Sequence, residues 1–294
     1  MALVPASLMQ ALPQAALPLA MRPPWRARLD LAVAASRGRS VLRACRHDGP
    51  LRVQKVLYPD GPALAQVILL HPPGGIAGGD ELQIDAGIGT DAHALLTTPG
   101  AGKWYRSTGR VARQSVHLRV SDGASLDWLP QESIVFDGAL VEQRLRVDCA
   151  PTARCCGWDI AVLGRRARGE RFSRGRWSQR IELFREQRLL WAEQACVDGG
   201  DDLLDSVVGW NGLHVSGLMW WIGDPIDEAL IEAVRTLPAT GLRYGVTSPQ
   251  PGLLLLRALG ASAERLRALF TAAWLLLRSP LFGHAALPPR IWST

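Results

Sequence analysis

The segment LQIDAGI at residues 82–88 has an apolar side chain at every second position. Because successive side chains of a β-strand point to opposite faces, this alternation predicts a half-buried strand. The same alternation recurs at residues 116–120, 145–147 and 181–183, and residues 186–188 predict a hairpin loop after the last of these. The 29 glycines and 20 prolines interrupt these runs at short intervals. The first two thirds of the chain are therefore predicted to form short β-strands.

The last third of the chain changes to a helical period. Residues 224–225, an aspartate followed by a proline, predict the start of a first helix that ends before Pro238. Ser262 predicts the cap of a second helix, with Arg278 complementing its negative end and Pro280 closing it. No internal repeat or low-complexity linker divides the chain. The predicted fold is mainly β, with two α-helices in the C-terminal third.

Residues 1–24 are predicted to form a poorly ordered extension, and residues 25–294 a single β-rich domain. The extension differs from a signal peptide because it lacks a basic start and prolines interrupt its apolar residues. No segment approaches the ~20 consecutive apolar residues of a membrane span. The five cysteines show no disulfide-framework spacing. These features predict a cytoplasmic protein with mostly reduced thiols and no membrane contact.

Almost all of the positive charge of the chain comes from arginine. The net charge is +6, and only Lys55 and Lys103 are lysines among the 33 basic residues. Arginines concentrate at residues 165–180, where Phe172 and Trp177 lie among them. This pattern is compatible with an arginine-rich nucleic-acid-binding protein or a generic adaptor, although no known nucleic-acid-binding fold pattern accompanies it. A solvated strand-and-loop face is the simpler interpretation.

The motifs that carry enzyme chemistry are missing or incomplete. The glycine-rich segment at residues 71–80 leads into a predicted strand rather than a helix, which favours tight turns over a phosphate-binding loop. Residues 100–103 end like a Walker loop, but Thr97 and Trp104 occupy positions where that motif needs glycine and a hydroxyl residue. No nucleophile elbow occurs, and the six histidines are scattered singly. We therefore predict neither an enzyme nor a tight metal site.

Five ordered blocks of sequence resemble one known family. The blocks are HPPGGIAGGDELQID at 71–85, LLTTPGAGKWYRS at 95–107, SLDWLPQESIVFDGA at 125–139, GRRARGERFSRG at 164–175 and PRIWST at 289–294. In their order and spacing they resemble the urease accessory protein UreD family, called UreH in some organisms. The resemblance runs from about Trp25 to Thr294.

The resemblance implies a fold and a function. Members of that family are expected to be single, elongated domains of stacked, curved, β-helical-like sheets with two late helices. They are non-enzymatic factors that act with the helical accessory protein UreF and the GTPase UreG to deliver nickel to apo-urease. The resemblance further implies an internal, water-filled passage, with nickel in transit and no permanently bound cofactor.

The same resemblance suggests residues for such a passage. A conduit needs sparse carboxylates and hydroxyls rather than a four-ligand cage, because the metal must be released again. Asp80 and Glu170 are the first candidates, followed by Thr97, Thr98 and Asp137. Alternative roles are a turn cap for Asp80 and an arginine ion pair for Glu170.

Overall fold

The computed structural model describes residues 23–283 and 287–293. Residues 1–22 of the predicted extension lie outside the described residues. The strands are β1 (Arg26–Ser36), β2 (Arg39–Asp48), β3 (Arg52–Val53), β4 (Leu64–Leu70), β5 (Glu81–Ile88), β6 (His93–Thr97), β7 (Gly102–Trp104), β8 (Ala112–Val120), β9 (Ser125–Leu129), β10 (Ser133–Val135), β11 (Leu140–Cys149), β12 (Arg154–Leu163), β13 (Arg176–Arg185), β14 (Arg188–Asp198), β15 (Val215–Ile222), β16 (Leu242–Gln250) and β17 (Leu253–Gly260). The helices are α1 (Glu228–Arg235) and α2 (Ala263–Phe282).

The strands form two sheets that stack face to face. The first has the order β14-β13-β11-β8-β5-β1-β2, and the second runs β16-β17-β15-β12-β9-β6-β4-β3, with β10 also paired to β12 and β7 paired to β10. From β4 to β13 the chain alternates between the sheets, and the successive strands within each sheet are parallel. Each turn of the chain thus adds one strand to each sheet. This arrangement confirms the prediction of a mainly β, β-helical-like fold.

Burial follows the sequence pattern on each sheet. In β5 the side chains at every second position are buried between the sheets, as the alternation at residues 82–88 predicted. All five residues of β9 are buried, because the helices cover the outer face of the second sheet. The large charged residues of the first sheet instead lie on its solvent-facing side. The principal core is therefore the space between the sheets, with a smaller one beneath the helices.

Both predicted helices exist, with different ends. Helix α1 begins at Asp227, whose side chain accepts a hydrogen bond from the amide of Ala229, three residues after the predicted start. Ser262 caps α2 as predicted. Pro280 lies inside α2 rather than closing it, because it falls in the last turn and Gly283 ends the helix with φ of 74°. Arg278 does not complement an exposed helix end: it is buried and bonded to Asp127.

Two predicted turns are present. Residues 71–80 connect β4 to β5 through turns rather than a helix. Gly75 packs there against Tyr105, and a Cβ atom at that position would lie 2.3 Å from the tyrosine ring. Glu186 and Gln187 both have positive φ angles and form the hairpin loop between β13 and β14. Within the described residues, no helix is both long and apolar enough to cross a membrane.

Candidate functional site

A cavity of about 350 Å³ lies between the two sheets. One end lies at the turn after β4 and the loop before β7, where Gly74 and Lys103 are exposed at the surface. Its walls are mainly apolar and aromatic side chains of both sheets, including Ile84, Val116 and Trp128. The cavity thus leads from a surface mouth into the core.

Three glutamines cross the inner wall of this cavity. Gln114 on β8, Gln143 on β11 and Gln179 on β13 are direct neighbours in the parallel register. Gln143 is 5% exposed. Its Nε2 donates to Ser133 Oγ at 3.0 Å and to Gln114 Oε1 at 3.4 Å, and its Oε1 accepts from Trp177 Nε1 at 2.8 Å. Buried amides are costly unless they are bonded, so this ladder is a polar band across an apolar wall.

Asp159 faces the ladder from β12, in the opposite sheet. Asp159 and Gln179 also line a second cavity, of about 530 Å³, and they are the residues that the two cavities share. Burial raises the pKa of Asp159 to about 6, and a polar interaction with Gln179 opposes that rise. The two cavities thus adjoin at these two side chains, which form the neck between them.

The second cavity is lined by a different set of strands. It lies between β13 and β14 on one side and β15, β16 and β17 on the other. Glu193 and Arg257 line its rim, with Glu193 Oε2 and Arg257 Nη2 2.5 Å apart. Val208, which is 94% exposed, also borders it. This mouth therefore carries a paired charge beside an exposed apolar side chain.

Asp80 does not line either cavity. It is 7% exposed, with Oδ1 accepting from the amide of Trp25 at 2.9 Å and Oδ2 from the amide of Ala77 at 2.8 Å. These bonds close the turn before β5 and fix the start of β1. The geometry matches the turn-cap alternative.

Glu170 and Asp137 lie together and line neither of the two cavities. Glu170 forms a two-point contact with Arg165, at 3.1 and 2.5 Å, and accepts from the amide of Asp137 at 3.1 Å. The Arg165 bonds lower the pKa of Glu170. Although burial opposes it, bonds from Ser173 and Arg174 lower the pKa of Asp137. Both carboxylates are occupied in holding the loop between β12 and β13.

The two threonines differ in position. Thr98 lines the first cavity, and its Oγ1 accepts from the amide of Gln131 at 2.9 Å. Thr97 is fully buried on the helix side, where its Oγ1 donates to the carbonyl of Leu129 and accepts from Trp292 Nε1 at 2.8 Å. Of the five candidates from the sequence, the structure places only Thr98 in the wall of either cavity. Across residues 23–283 and 287–293, no three His, Cys, Asp or Glu side chains group closely enough to hold a metal.

We expect Glu170→Ala to lower the free energy of unfolding by about 1–3 kcal/mol, because the change removes hydrogen bonds to a charged group. Urea denaturation measures this loss. A Glu170→Ala protein as stable as the wild type would contradict the assignment of Glu170 to this ion pair.

We expect Asp159→Asn to stabilise the protein at pH 7.5 by up to about 3 kcal/mol. The fold raises the pKa of Asp159 from 3.8 to about 6, so the folded state holds this proton more tightly than the unfolded state. Ionisation of the carboxyl therefore lowers the free energy of unfolding by its full amount above pH 6. This loss becomes smaller as the pH falls towards 4. Thermal melts of both proteins between pH 4.5 and 8 measure it. A stability difference that does not change over this range would contradict the assignment.

The arginine cluster at residues 165–180 is largely neutralised by carboxylates. The ion pairs are Arg165–Glu170, Arg171–Asp205, Arg174–Asp137, Arg176–Asp198 and Arg180–Glu182. Phe172 and Trp177, the aromatic side chains among these arginines, are buried rather than available for stacking on bases. The face is thus poorly suited to binding nucleic acid.

The chain is similar to known proteins over nearly its whole length. Residues 26–293 match the family model described as UreD urease accessory protein. A protein called urease accessory protein UreD from Dechloromonas aromatica (strain RCB) is 50% identical over 279 residues, covering 92% of this chain and 96% of the relative. Its namesake from Ralstonia nicotianae is 49% identical, covering 92% and 94%. The Pseudomonas aeruginosa PAO1 protein of that name is 47% identical, covering 95% and 99%. The chain therefore belongs to the UreD family of urease accessory proteins.

Proposed function

We propose that this chain is a urease maturation factor without catalysis of its own, which passes nickel through its interior to apo-urease. Family membership implies the role in urease maturation. The observation that supports the nickel proposal is the neck at Asp159 and Gln179, where two cavities meet inside an apolar core. Burying a carboxyl without a cationic partner costs stability, and this cost favours a functional role for Asp159.

The chemistry of the passage suits an ion that must move on. Its polar wall includes the amide and hydroxyl groups of Gln114, Gln143 and Ser133, with one carboxyl at the neck. The basic side chains among the lining residues are Lys103, Arg144, Arg243 and Arg257. At pH 7.5 that carboxyl is mostly ionised, because its pKa is about 6. A single negative charge in a low-dielectric interior attracts a divalent cation without the four ligands that would trap it. Conduction requires binding that is favourable but weak.

In this proposal, the other steps of urease maturation belong to the partner proteins. UreF docks the chain to the GTPase UreG, which supplies nucleotide chemistry, and apo-urease receives the nickel. Thr97 and Trp104 stand where a nucleotide-binding loop would need other residues, which agrees with this division. The proposed setting is the cytoplasm, and nickel is cargo rather than a resident cofactor.

Co-purification tests the proposal against the alternative of a nucleic-acid-binding or generic adaptor protein. The tagged full-length chain is expressed with urease and its accessory proteins, and the eluate is analysed for protein, nickel and nucleic acid. Capture of urease subunits with UreF and UreG, and urease activity that depends on this chain, are the expected results. Salt-sensitive capture of nucleic acid without those partners would overturn the proposal.

A further inference from the structure

The loop between β14 and β15, residues 199–214, exposes two adjacent valines. Val207 and Val208 are 74% and 94% exposed. The amide of Gly209 donates to the carbonyl of Ser206 at 3.0 Å, so the valines are the two central residues of a β-turn. Turns favour glycine, proline, asparagine, aspartate and serine, whereas valine favours strands. The formation of the turn therefore does not explain these two side chains.

The rest of the loop holds this turn in a fixed position. Trp210 anchors it, because this side chain is 8% exposed and packs edge-on against Trp177 with ring centroids 6.2 Å apart. The amide of Trp210 donates to the carbonyl of Leu203 at 2.9 Å, and the amide of Gly212 donates to the carbonyl of Leu204 at 2.8 Å. Since the loop is already ordered by its own contacts, a partner that binds the valines loses little affinity to further ordering.

The turn lies at the mouth of the second cavity, beside a free positive charge. Val208 lines that cavity together with Leu203, which is 39% exposed, and Arg243 of β16. Arg243 is exposed, and within residues 23–283 and 287–293 no carboxylate pairs with it. Arg257 at the same mouth is already bonded to Glu193. The mouth thus presents adjoining apolar side chains next to an unpaired guanidinium.

We propose that Val207, Val208 and Arg243 form a docking surface for a protein partner that has an apolar groove with a carboxylate at its edge. Apolar side chains that adjoin one another on a protein surface mark contacts with other proteins. The carboxylate follows from charge complementarity, because Arg243 has no acid of its own. The inference rests on the proposed function and adds to it the surface at which one partner covers the second mouth. An ion that leaves this cavity would then enter the partner rather than bulk water.

The test is co-purification with the tagged full-length chain, expressed with urease and its accessory proteins. Val207→Asp combined with Val208→Asp should reduce capture of one of these partners at least roughly tenfold, because the change buries unpaired carboxylates in the contact. The matched control is Leu57→Asp, at an apolar side chain that is 41% exposed and lines neither cavity. It should retain wild-type capture of every partner. Thermal melts of each chain check that the variants fold.

Salt separates the contribution of Arg243. Added salt should weaken capture of the same partner by the wild-type chain, because it screens the attraction between Arg243 and the partner's carboxylate. Arg243→Gln should capture less of that partner at low salt and should depend less on salt than the wild type. An Arg243→Gln chain with wild-type capture and wild-type salt dependence would contradict the pairing with a carboxylate.

The remaining outcomes separate this inference from the proposed function. Capture of every partner at the wild-type level by the double valine variant would overturn the docking surface and leave the proposed function intact. A purified chain that dimerises with rising concentration, and that the valine changes return to a monomer, would overturn it too, because the occupant would be a second copy. If the wild-type chain captures neither urease nor an accessory protein, the proposed function and this inference both fail.

Discussion

Replacement of Arg278 by methionine is expected to lower the free energy of unfolding by about 3–5 kcal/mol, because it leaves a buried carboxylate without its cation. The side chains of Arg278 and Asp127 are 1% and 2% exposed, and their Nε and Oδ2 atoms are 2.9 Å apart. Trp274 Nε1 donates to the other oxygen of Asp127 at 2.9 Å. This contact fastens α2 to the middle of β9, so its loss weakens the whole helix side of the fold.

Two further variants test this explanation of the Arg278 effect. Asp127→Leu combined with Arg278→Met replaces both charges with apolar side chains, and it should recover most of the lost stability. Arg176→Met breaks the exposed pair with Asp198 and should cost much less stability than Arg278→Met, because solvent screens an exposed pair. Urea denaturation measures all four proteins. A single Arg278→Met protein as stable as wild type, or a double variant weaker than the single, would contradict the assignment.

Asp159→Leu is expected to reduce urease activation at least tenfold while the accessory complex still assembles. The change removes the one carboxyl at the neck and places an apolar side chain where the two cavities meet. A divalent ion would then cross this point without the carboxylate charge and oxygens that could replace its water, and only the amide oxygen of Gln179 would remain there. Urease activity and nickel per urease, measured after co-expression, give the size of the effect.

The matched control for the neck is Asp30→Leu on the outer face of β1, where the aspartate pairs with Arg28 at the surface. It carries the same chemical change and should leave activation near the wild-type level. Asp159→Asn separates charge from shape, and its activation should fall between those of the wild type and Asp159→Leu. Since Asp159→Asn is also expected to be more stable than wild type, its lower activation would not be a folding defect. Equal activation by all four proteins would contradict the role of Asp159.

The fold was largely predictable because its strands carry their own periodicity. The alternating runs recognised at residues 116–120, 145–147 and 181–183 lie on β8, β11 and β13, as predicted. Extending each run backwards by two residues in the same phase reaches the three glutamines of the ladder. The sequence therefore indicated the ladder, because it places a polar residue at an inward-facing position of three successive strands.

The neck was not predictable in the same way. Asp159 lies in β12, whose neighbouring residues are buried on both faces and show no alternation that would indicate its direction. Asp159 lies close to Gln179 because the two sheets stack on each other. The alternation of apolar and polar residues along one strand does not determine how the sheets stack. Asp127 and Arg278 are likewise 151 residues apart in sequence. Asp80 and Glu170 were candidates because they are acidic residues within the blocks that carry the family resemblance. Backbone amides occupy the oxygens of Asp80 and an arginine occupies those of Glu170, and these contacts depend on local geometry.

The most direct test of the proposed passage is nickel transfer from the purified nickel-loaded complex to apo-urease in the presence of an excess of a nickel chelator. Wild-type complex should load urease at nearly the same rate with and without chelator, because the ion does not enter bulk water. The Asp159→Leu complex should load urease at least tenfold more slowly. Transfer by the wild type that the chelator abolishes, or transfer by Asp159→Leu at the wild-type rate, would contradict the account.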